Sequence, residues 1–479
     1  MAAFVAASNR LPVEVDADGT PTASPGGLAS ALSSIAARNT AWVGWPGPHA
    51  GDLRPFTFGD ARLYPLSLTQ GELARYYRGF SNSVLWPLFH GRLRREEMNR
   101  NWWRTYRGVN ERFSLMISRV ADPNATVWIH DYHLLLVPKL LRARRPDLRI
   151  GLFLHIPFPN AQLFSMLPWR EDVLTGMLGA DLVGFQVPDD AANFVATAER
   201  LLAVKADGGR VQLARRTVDV DAFPISIDFE RWERLGTAAS EGAARHRAEL
   251  QVESVFLGID RLDYTKGITQ RLQAFSELLH DGRLDPNRCT FVQVAVPSRA
   301  DVPAYQDERT DVEQWITRIN TAHPRADGSG PVHYIERSLD DIGLAEWYRA
   351  ADVLVITSLA DGMNLVAKEF VAATVDNDGV LVLSEFTGAA HDLDGAIIVN
   401  PYDIDAIKKA LLGALELPFT DRRERMERMR MDLRRHDVHH WAGQFLDRLE
   451  AVPEARRRLR LRKLPVFQRV AELWSSRKA

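Results

Sequence analysis

Apolar residues fall in short, unbroken runs through most of the chain. In the first half these are Phe4–Ala7, Thr126–Ile129, Ile150–His155, Leu182–Gln186 and Ala222–Ile225. In the second half they are Val255–Ile259, Thr290–Val296, Val353–Thr357, Val380–Leu383 and Ala396–Val399. Runs of this length without polar alternation predict strands covered on both faces. Amphipathic stretches between them, such as Leu134–Arg144, Ile268–Leu279 and Leu365–Thr374, predict helices. Strand and helix in alternation predict an α/β fold with two doubly wound parallel sheets, whose strand-end loops build any site.

The polar, alanine-rich stretch Asp228–Leu250 separates the two strand sets and reads as a linker. It suggests domains over 1–235 and 236–450, followed by a tail over 451–479. The aromatic segment Glu72–Trp103 reads as an inserted helical region. The tail carries nine Lys/Arg against two Glu, which predicts a solvated helix ahead of a nucleic-acid or partner-binding arm.

Composition narrows the function classes. The chain has 479 residues, enough for two cores, with 60 Lys plus Arg against 62 Asp plus Glu. That balance gives no general argument for nucleic acid or an anionic membrane as partner. No apolar stretch approaches the ~20 residues that span a bilayer, and the first residues lack a basic, signal-like region. A cytoplasmic enzyme is expected. Cys289, the single cysteine, lies beside an apolar run and reads as a buried thiol rather than a nucleophile.

Candidate chemistry clusters at predicted strand ends. Asp361-Gly-Met-Asn-Leu-Val-Ala-Lys-Glu369 runs from a strand into a helix, whose N-terminus offers free N–H groups to a diphosphate. There Asp361 and Glu369 suit sugar and ribose hydroxyls; equally, Asp361 caps the helix and Glu369 faces solvent. Arg261 and Lys266 flank the loop ending at Gly267, where cations suit a departing phosphate, although loop cations are often only solvated. Arg10 follows the first strand, and Gly26 and Gly27 precede a helix, a weaker phosphate signal. Asp131 lies between His130 and His133 and suits an acceptor-sugar hydroxyl; His155 ends another strand. No metal is expected: the histidine spacing lacks a helical ligand pattern, and Asp16–Asp18, Asp219–Asp221 and Asp376–Asp378 read as turns or strand.

Taken in order, Ser8-Asn-Arg10, Gly26-Gly-Leu28, Tyr76-Tyr77, Phe80-Ser-Asn-Ser-Val-Leu-Trp-Pro87, His130-Asp-Tyr-His133, His155-Ile-Pro-Phe-Pro159, Arg261-Leu-Asp-Tyr-Thr-Lys-Gly267 and Asp361–Glu369 resemble the trehalose-6-phosphate synthase family. The resemblance runs from about residue 4 to residue 450. It implies a GT-B architecture, two Rossmann-like domains facing across a cleft. The first would bind the acceptor and the second the nucleotide sugar. The implied reaction is retaining transfer of glucose from UDP- or GDP-glucose to glucose 6-phosphate, with no cofactor.

The resemblance assigns Arg261 and Lys266 to the donor diphosphate and Gly27 to a loop amide facing it. Gly362, Met363, Asn364 and Leu365 join the donor loop, with Glu369 on the ribose. Asp361 and His155 contact the donor glucose. Arg10, Tyr77, Trp86 and Arg299 form the acceptor pocket, and Asp131 grips acceptor hydroxyls. Nothing in it calls for nucleic acid or a membrane, and a homo-oligomer is compatible with it. Glu336-Arg-Ser338, where some bacterial relatives carry a histidine, leaves the donor base open. The competing readings are a related transferase using glycerol 3-phosphate or a cyclitol phosphate, and a non-catalytic sugar-phosphate sensor. A nicotinamide oxidoreductase is disfavoured, because Asn9-Arg10-Leu11-Pro12 stands where a glycine fingerprint belongs.

Overall fold

The computed structural model describes residues 2–15, 21–23, 40–47, 53–92, 98–299 and 301–452. Two large sheets carry the chain, one built before residue 223 and one after residue 253.

The first sheet has ten strands. Its parallel centre runs Arg216–Ala222, Leu182–Phe185, Arg149–Phe153, Ala121–His130, Ala2–Arg10, Thr40–Trp45 and Ala61–Pro65. Short antiparallel strands, Lys205–Asp207 with Arg210–Leu213 and Phe56–Phe58, close its two edges. The second sheet is wholly parallel, in the order Val332–Ile335, Cys289–Val296, Ser254–Arg261, Val353–Ile356, Val380–Ser384 and Ile397–Val399. In order of appearance that is 3-2-1-4-5-6, the Rossmann arrangement. Val353–Ile356 and Val380–Ser384 are buried at every position, which is why their sequences show no alternation.

Each sheet has one place where the chain reverses its direction of winding. In the first it lies between Ala2–Arg10 and Ala121–His130; in the second, between Ser254–Arg261 and Val353–Ile356. Connections leave such a pair in opposite directions, so a crevice opens at the strands' carboxyl ends. Arg10, His130 and Arg261 end three of these strands, and Asp361 follows the end of the fourth.

Three expectations need correction. The stretch Asp228–Leu250 is not an open linker: it forms helices Phe229–Ala238 and Ser240–Leu250, capped by the Asp228 carboxylate accepting from Arg231 N at 2.9 Å. The short Thr/Ala/Ser/Gly residues that looked loop-like supply the close face, since a Cβ on Gly236 would lie 2.1 Å from Ala373 O. Residue 235 therefore falls inside a helix, and we place the crossing between the two sheets at residues 223–228. The expected strand Ala222–Ile225 lies earlier, at Arg216–Ala222, a run whose charged residues hid its pairing. Helix Leu134–Arg144 starts at Val137, after a 3-10 turn.

The aromatic insertion is helical, as Gln70–Glu72, a π-helical run Leu73–Leu85, Trp86–Phe89 and the start of Arg100–Val120. Cys289 is buried, its thiol pushed up to about 12 by loss of solvent.

The last described helix, Val438–Glu450, returns to the first sheet after the second is complete. Phe445 stacks on Trp128 with centroids 4.8 Å apart, over Gly151 and Gly184, where an added Cβ would come within 2.7 Å of its ring. Removing so large a buried ring leaves a cavity between sheet and helix. Phe445→Ala is expected to cost ~3–5 kcal/mol of stability. Urea unfolding followed by tryptophan fluorescence measures it; a midpoint equal to that of the parent chain would show that the returning helix does not hold the first sheet.

Candidate active site

Four strand-end loops meet in the crevice. One close approach is at Gly362: a Cβ there would lie 2.1 Å from the carbonyl oxygen of His155, which belongs to the first sheet's loops. On its other side, a Cβ on Gly388 would lie 2.1 Å from Gly362 O. Asp361 N donates to Phe386 O at 3.0 Å, and Ala389 N donates to Met363 O at 2.8 Å. The loop carrying Asp361, Gly362 and Met363 is thus held between the two halves.

Asp361 is not the helix cap. Asn364, at φ +83°, takes that place, its side chain accepting from Ala367 N at 3.0 Å, and Leu365 opens the helix. The Asp361 carboxylate instead receives Lys266 Nζ at 2.5 Å and Asn364 Nδ2 at 3.1 Å. Burial opposes its ionisation, but Lys266 and these hydrogen bonds hold its pKa below the usual carboxylate value. Lys266 sits on a tight loop ended by Gly267 at φ +60°, whose Cα faces Thr357 O so closely that a Cβ would lie 2.0 Å away. A wholly buried Arg271 braces that loop, bonding Asp260 at 2.7 Å, Gln293 at 3.0 Å and Thr357 at 3.3 Å.

Glu369 does not face solvent. It is buried one side of the same helix, accepts from Tyr348 OH at 2.9 Å, and is pushed up to about 7 by burial.

On the facing side, Trp86 gathers cations. The guanidinium of Arg299 lies 4.0 Å from its ring centroid and that of Arg261 lies 5.4 Å away, both within cation–π range. Asp263, fully buried, stands 3.8 Å from Arg299 and 3.9 Å from Arg261, and these charges with Lys266 overcome its burial to keep it ionised. Arg299 also donates to Tyr305 OH and, at 3.1 Å, to Tyr132 OH. Arg10 lies 5.1 Å from the Trp45 ring and pairs with Glu14. Tyr77 packs between Trp45 and His133. Burial raises its phenol, yet the charges of Arg299, Arg10 and Arg261 bring it below the ordinary tyrosine value. Three arginines from distant segments therefore act on one ring.

Asp131 has φ +74° and accepts from His155 N at 3.2 Å; burial pushes it up to about 6. The His155 imidazole, pushed down to about 3 by burial, contacts His130 at 3.2 Å and Gln186 at 3.4 Å. His130 and His133 are buried among aromatic rings, and no cluster of three metal-ligating side chains occurs among the described residues. Gly27 lies outside the described residues. The remaining sequence-predicted residues, Arg10, Tyr77, Trp86, Asp131, His155, Arg261, Lys266, Arg299, Asp361, Gly362, Met363, Asn364, Leu365 and Glu369, lie at strand ends, on the loops that follow them or on adjoining helices. Met363 is buried, its side chain in core and its carbonyl bonded.

Sequence reasoning missed Asp263, Tyr132, Tyr305 and Gln186. Asp263 and Tyr132 stood inside quoted motifs; a carboxylate two residues after an arginine on a cation-rich loop was the available signal. Tyr305 carried none, because only folding brings it to Arg299.

Two Rossmann-type sheets, a cation-lined crevice between them and carboxylates held beside it define a GT-B glycosyltransferase. The chain belongs to glycosyltransferase family 20, whose model matches residues 3–451. A trehalose-6-phosphate synthase of Mycobacterium sp. (strain KMS) is 44% identical over 466 residues, 93% of this chain and 94% of its own. The crystal structure of an alpha,alpha-trehalose-phosphate synthase (UDP-forming) from Burkholderia xenovorans in complex with glucose-6-phosphate superposes with TM-score 0.87 at 35% identity, over 94% of this chain and 100% of that one. A trehalose-6-phosphate protein from E. coli bound with UDP-2-fluoro glucose gives TM-score 0.84 at 33% identity, over 94% and 99% of the two chains. No helix among the described residues is long and apolar enough to cross a membrane.

Asp131 and Glu369 carry a stability cost that depends on pH. Each has a folded pKa raised above its unfolded value, so the folded state binds the proton more tightly. Their destabilisation is absent at low pH and grows as pH rises through about 6 and about 7. Asp131→Asn, with a residue tolerant of positive φ, is expected to melt above the parent chain at pH 8 and level with it near pH 4. Thermal melts across this range decide the matter; equal melting temperatures at pH 8 would remove the burial argument.

Proposed function

We propose that this chain transfers glucose, with retention, from a nucleoside diphosphate glucose to glucose 6-phosphate, as trehalose-6-phosphate synthases do. The observation that carries the reading is the gathering of cations: Arg10, Arg261 and Arg299 act on Tyr77, Arg261 and Arg299 lie against Trp86, and Lys266 pairs with Asp361. Two anionic groups need several cations, and Arg261, Arg299 and Lys266 all act on the one buried carboxylate of Asp263. The names of the solved relatives, UDP-forming and bound to glucose-6-phosphate or UDP-2-fluoro glucose, favour uridine as the donor base.

In this reading Arg261 and Lys266 hold the donor diphosphate, aided by amides of the Gly362–Leu365 turn and by Gly27. Lys266 spends one of its three donors on Asp361 and keeps two for phosphate oxygens. Glu369 accepts from the ribose hydroxyls. Asp361 and His155 contact the donor glucose; at His155 the longer bond, to Gln186, is the one a sugar hydroxyl would share. Arg10, Tyr77, Trp86 and Arg299 hold the acceptor phosphate, with Asp131 on acceptor hydroxyls.

Asp361 is committed to Lys266 and Asn364, which disfavours it as a nucleophile. The reaction then proceeds on one face. The bond from the anomeric carbon to the diphosphate oxygen breaks as the acceptor's anomeric oxygen bonds to the same face. The acceptor hydroxyl gives its proton to the departing diphosphate. Arg261 and Lys266 stabilise the charge that develops there.

Incubation with glucose 6-phosphate and a panel of nucleoside diphosphate glucoses, following diphosphate release and disaccharide phosphate formation, tests the reading. Turnover is expected with UDP-glucose, including in EDTA; release with glycerol 3-phosphate or a cyclitol phosphate in place of glucose 6-phosphate would overturn the acceptor.

Each of Arg261→Ala and Lys266→Ala is expected to lower kcat about 10²–10³-fold, the usual loss of one preorganised charge contact. Arg299→Ala is instead expected to raise KM for glucose 6-phosphate far more than KM for the nucleotide sugar. Steady-state kinetics distinguish these. Equal KM effects on both substrates in Arg299→Ala would move that residue out of the acceptor pocket.

A further inference from the structure

On the far side of Tyr305 and Asn82 from the cation cluster, a separate cavity of about 220 Å³ lies between the two halves. Asn82 and Arg92 reach it from the helical insertion. Tyr264, Asp307, Glu308 and Asp311 reach it from the second half. The proposed donor and acceptor residues do not line it.

Its chemistry is mixed in a particular way. Asn82 is 1% exposed; its Oδ1 accepts from Tyr132 OH at 2.7 Å and its Nδ2 is shut off from the cavity, so Asn82 is part of the wall and not a donor to a ligand. Arg92 supplies the donors and stands 5.8 Å from the Tyr264 ring. Opposite them are three carboxyl groups. Glu308 is pushed up to about 7, first by burial and then by Asp263 and Asp311, while Arg92 and Arg271 draw it down.

An inorganic anion would satisfy Arg92 and be repelled by the carboxylates. A metal ion would satisfy the carboxylates and face Arg92, whose cationic guanidinium offers it no lone pair. A hydroxyl group both donates and accepts, so a molecule bearing several of them matches the whole lining. The edge-to-face pair Tyr264–Tyr305, 5.4 Å between centroids, supplies an apolar surface for a ring's C–H groups. The volume is below the ~300 Å³ at which drug-sized sites begin, and suits one sugar ring.

We propose that this cavity binds a neutral monosaccharide, at a site separate from the catalytic crevice. Its occupancy is coupled to that crevice through two side chains. Tyr305 lines the cavity and bonds Arg299 and Asp263, and Asn82 bonds Tyr132, which receives Arg299.

Glucose serves as the probe, observed by saturation-transfer NMR on the full chain with the crevice saturated by UDP and glucose 6-phosphate. Binding is read directly, so the outcome does not depend on turnover. Glucose contacts are expected to persist under saturation, and to weaken at least tenfold in Ala304→Phe, which fills the cavity, and in Asp311→Asn. The second substitution is at the exposed rim and leaves the core untouched, so it remains informative where the first fails to fold. Glucose displaced by UDP and glucose 6-phosphate, or held equally by Asp311→Asn and the parent chain, would overturn the proposal. So would binding of magnesium or sulfate that the same substitutions abolish.

Discussion

At residue 362 the two halves of the molecule meet backbone to backbone. A single methyl there would collide with the carbonyl of His155, and the loop has no room to withdraw because Gly388 presses on it from behind. This contact fixes where the second sheet's strand ends stand relative to the first's. Asp361, one residue earlier, is thereby carried to Lys266 on its own sheet, while His155 is held beside Asp131 and His130 on the other. The crevice residues owe their common location to a missing side chain.

Within that frame, burial and neighbouring charge sort the carboxyl groups into two kinds. Asp361 and Asp263 sit against cations and stay ionised although buried. Asp131 and Glu369 lack such neighbours at hydrogen-bond distance and are raised toward neutrality. The crevice histidines go the other way: burial pushes His155 down to about 3 and holds His130 and His133 well below the usual histidine value, so all three are uncharged near neutral pH. Positive charge in the crevice is therefore left to arginine and lysine side chains. In the proposed reading, a site that handles two phosphorylated molecules benefits from that division, because its cations do not titrate away with the histidines.

The sheets were legible because their strands are buried on both faces, which leaves unbroken apolar runs such as Val353–Ile356. Strands with one exposed face or a charged sequence, such as Arg210–Leu213 and Arg216–Ala222, gave no such run and were missed or shifted. The stretch after Asp228 looked like a linker for a related reason. Gly236 and Gly242 are small because neighbouring atoms lie within 2.1 Å of where their Cβ would stand, and sequence alone does not separate close packing from a flexible loop. At the site, residues in compact motifs were found, since a strand end and its following loop stay together. Tyr305, Gln186 and Tyr348 were not, because each becomes relevant only through a contact across more than one element.

Asp263 shows why those long-range contacts matter. Arg261 and Arg299 come from different strand-end loops, and both lie against Trp86. Two guanidinium groups so placed repel, and the aromatic face offsets only part of that. One buried carboxylate between them supplies the rest, about 3.8 and 3.9 Å from each. It is a single negative charge against two positive ones, with Lys266 also acting on it. The cluster is held together by the protein's own groups and still carries excess positive charge. In the proposed reading an incoming phosphate completes a balance that the protein leaves open, and it need not assemble the cations that receive it.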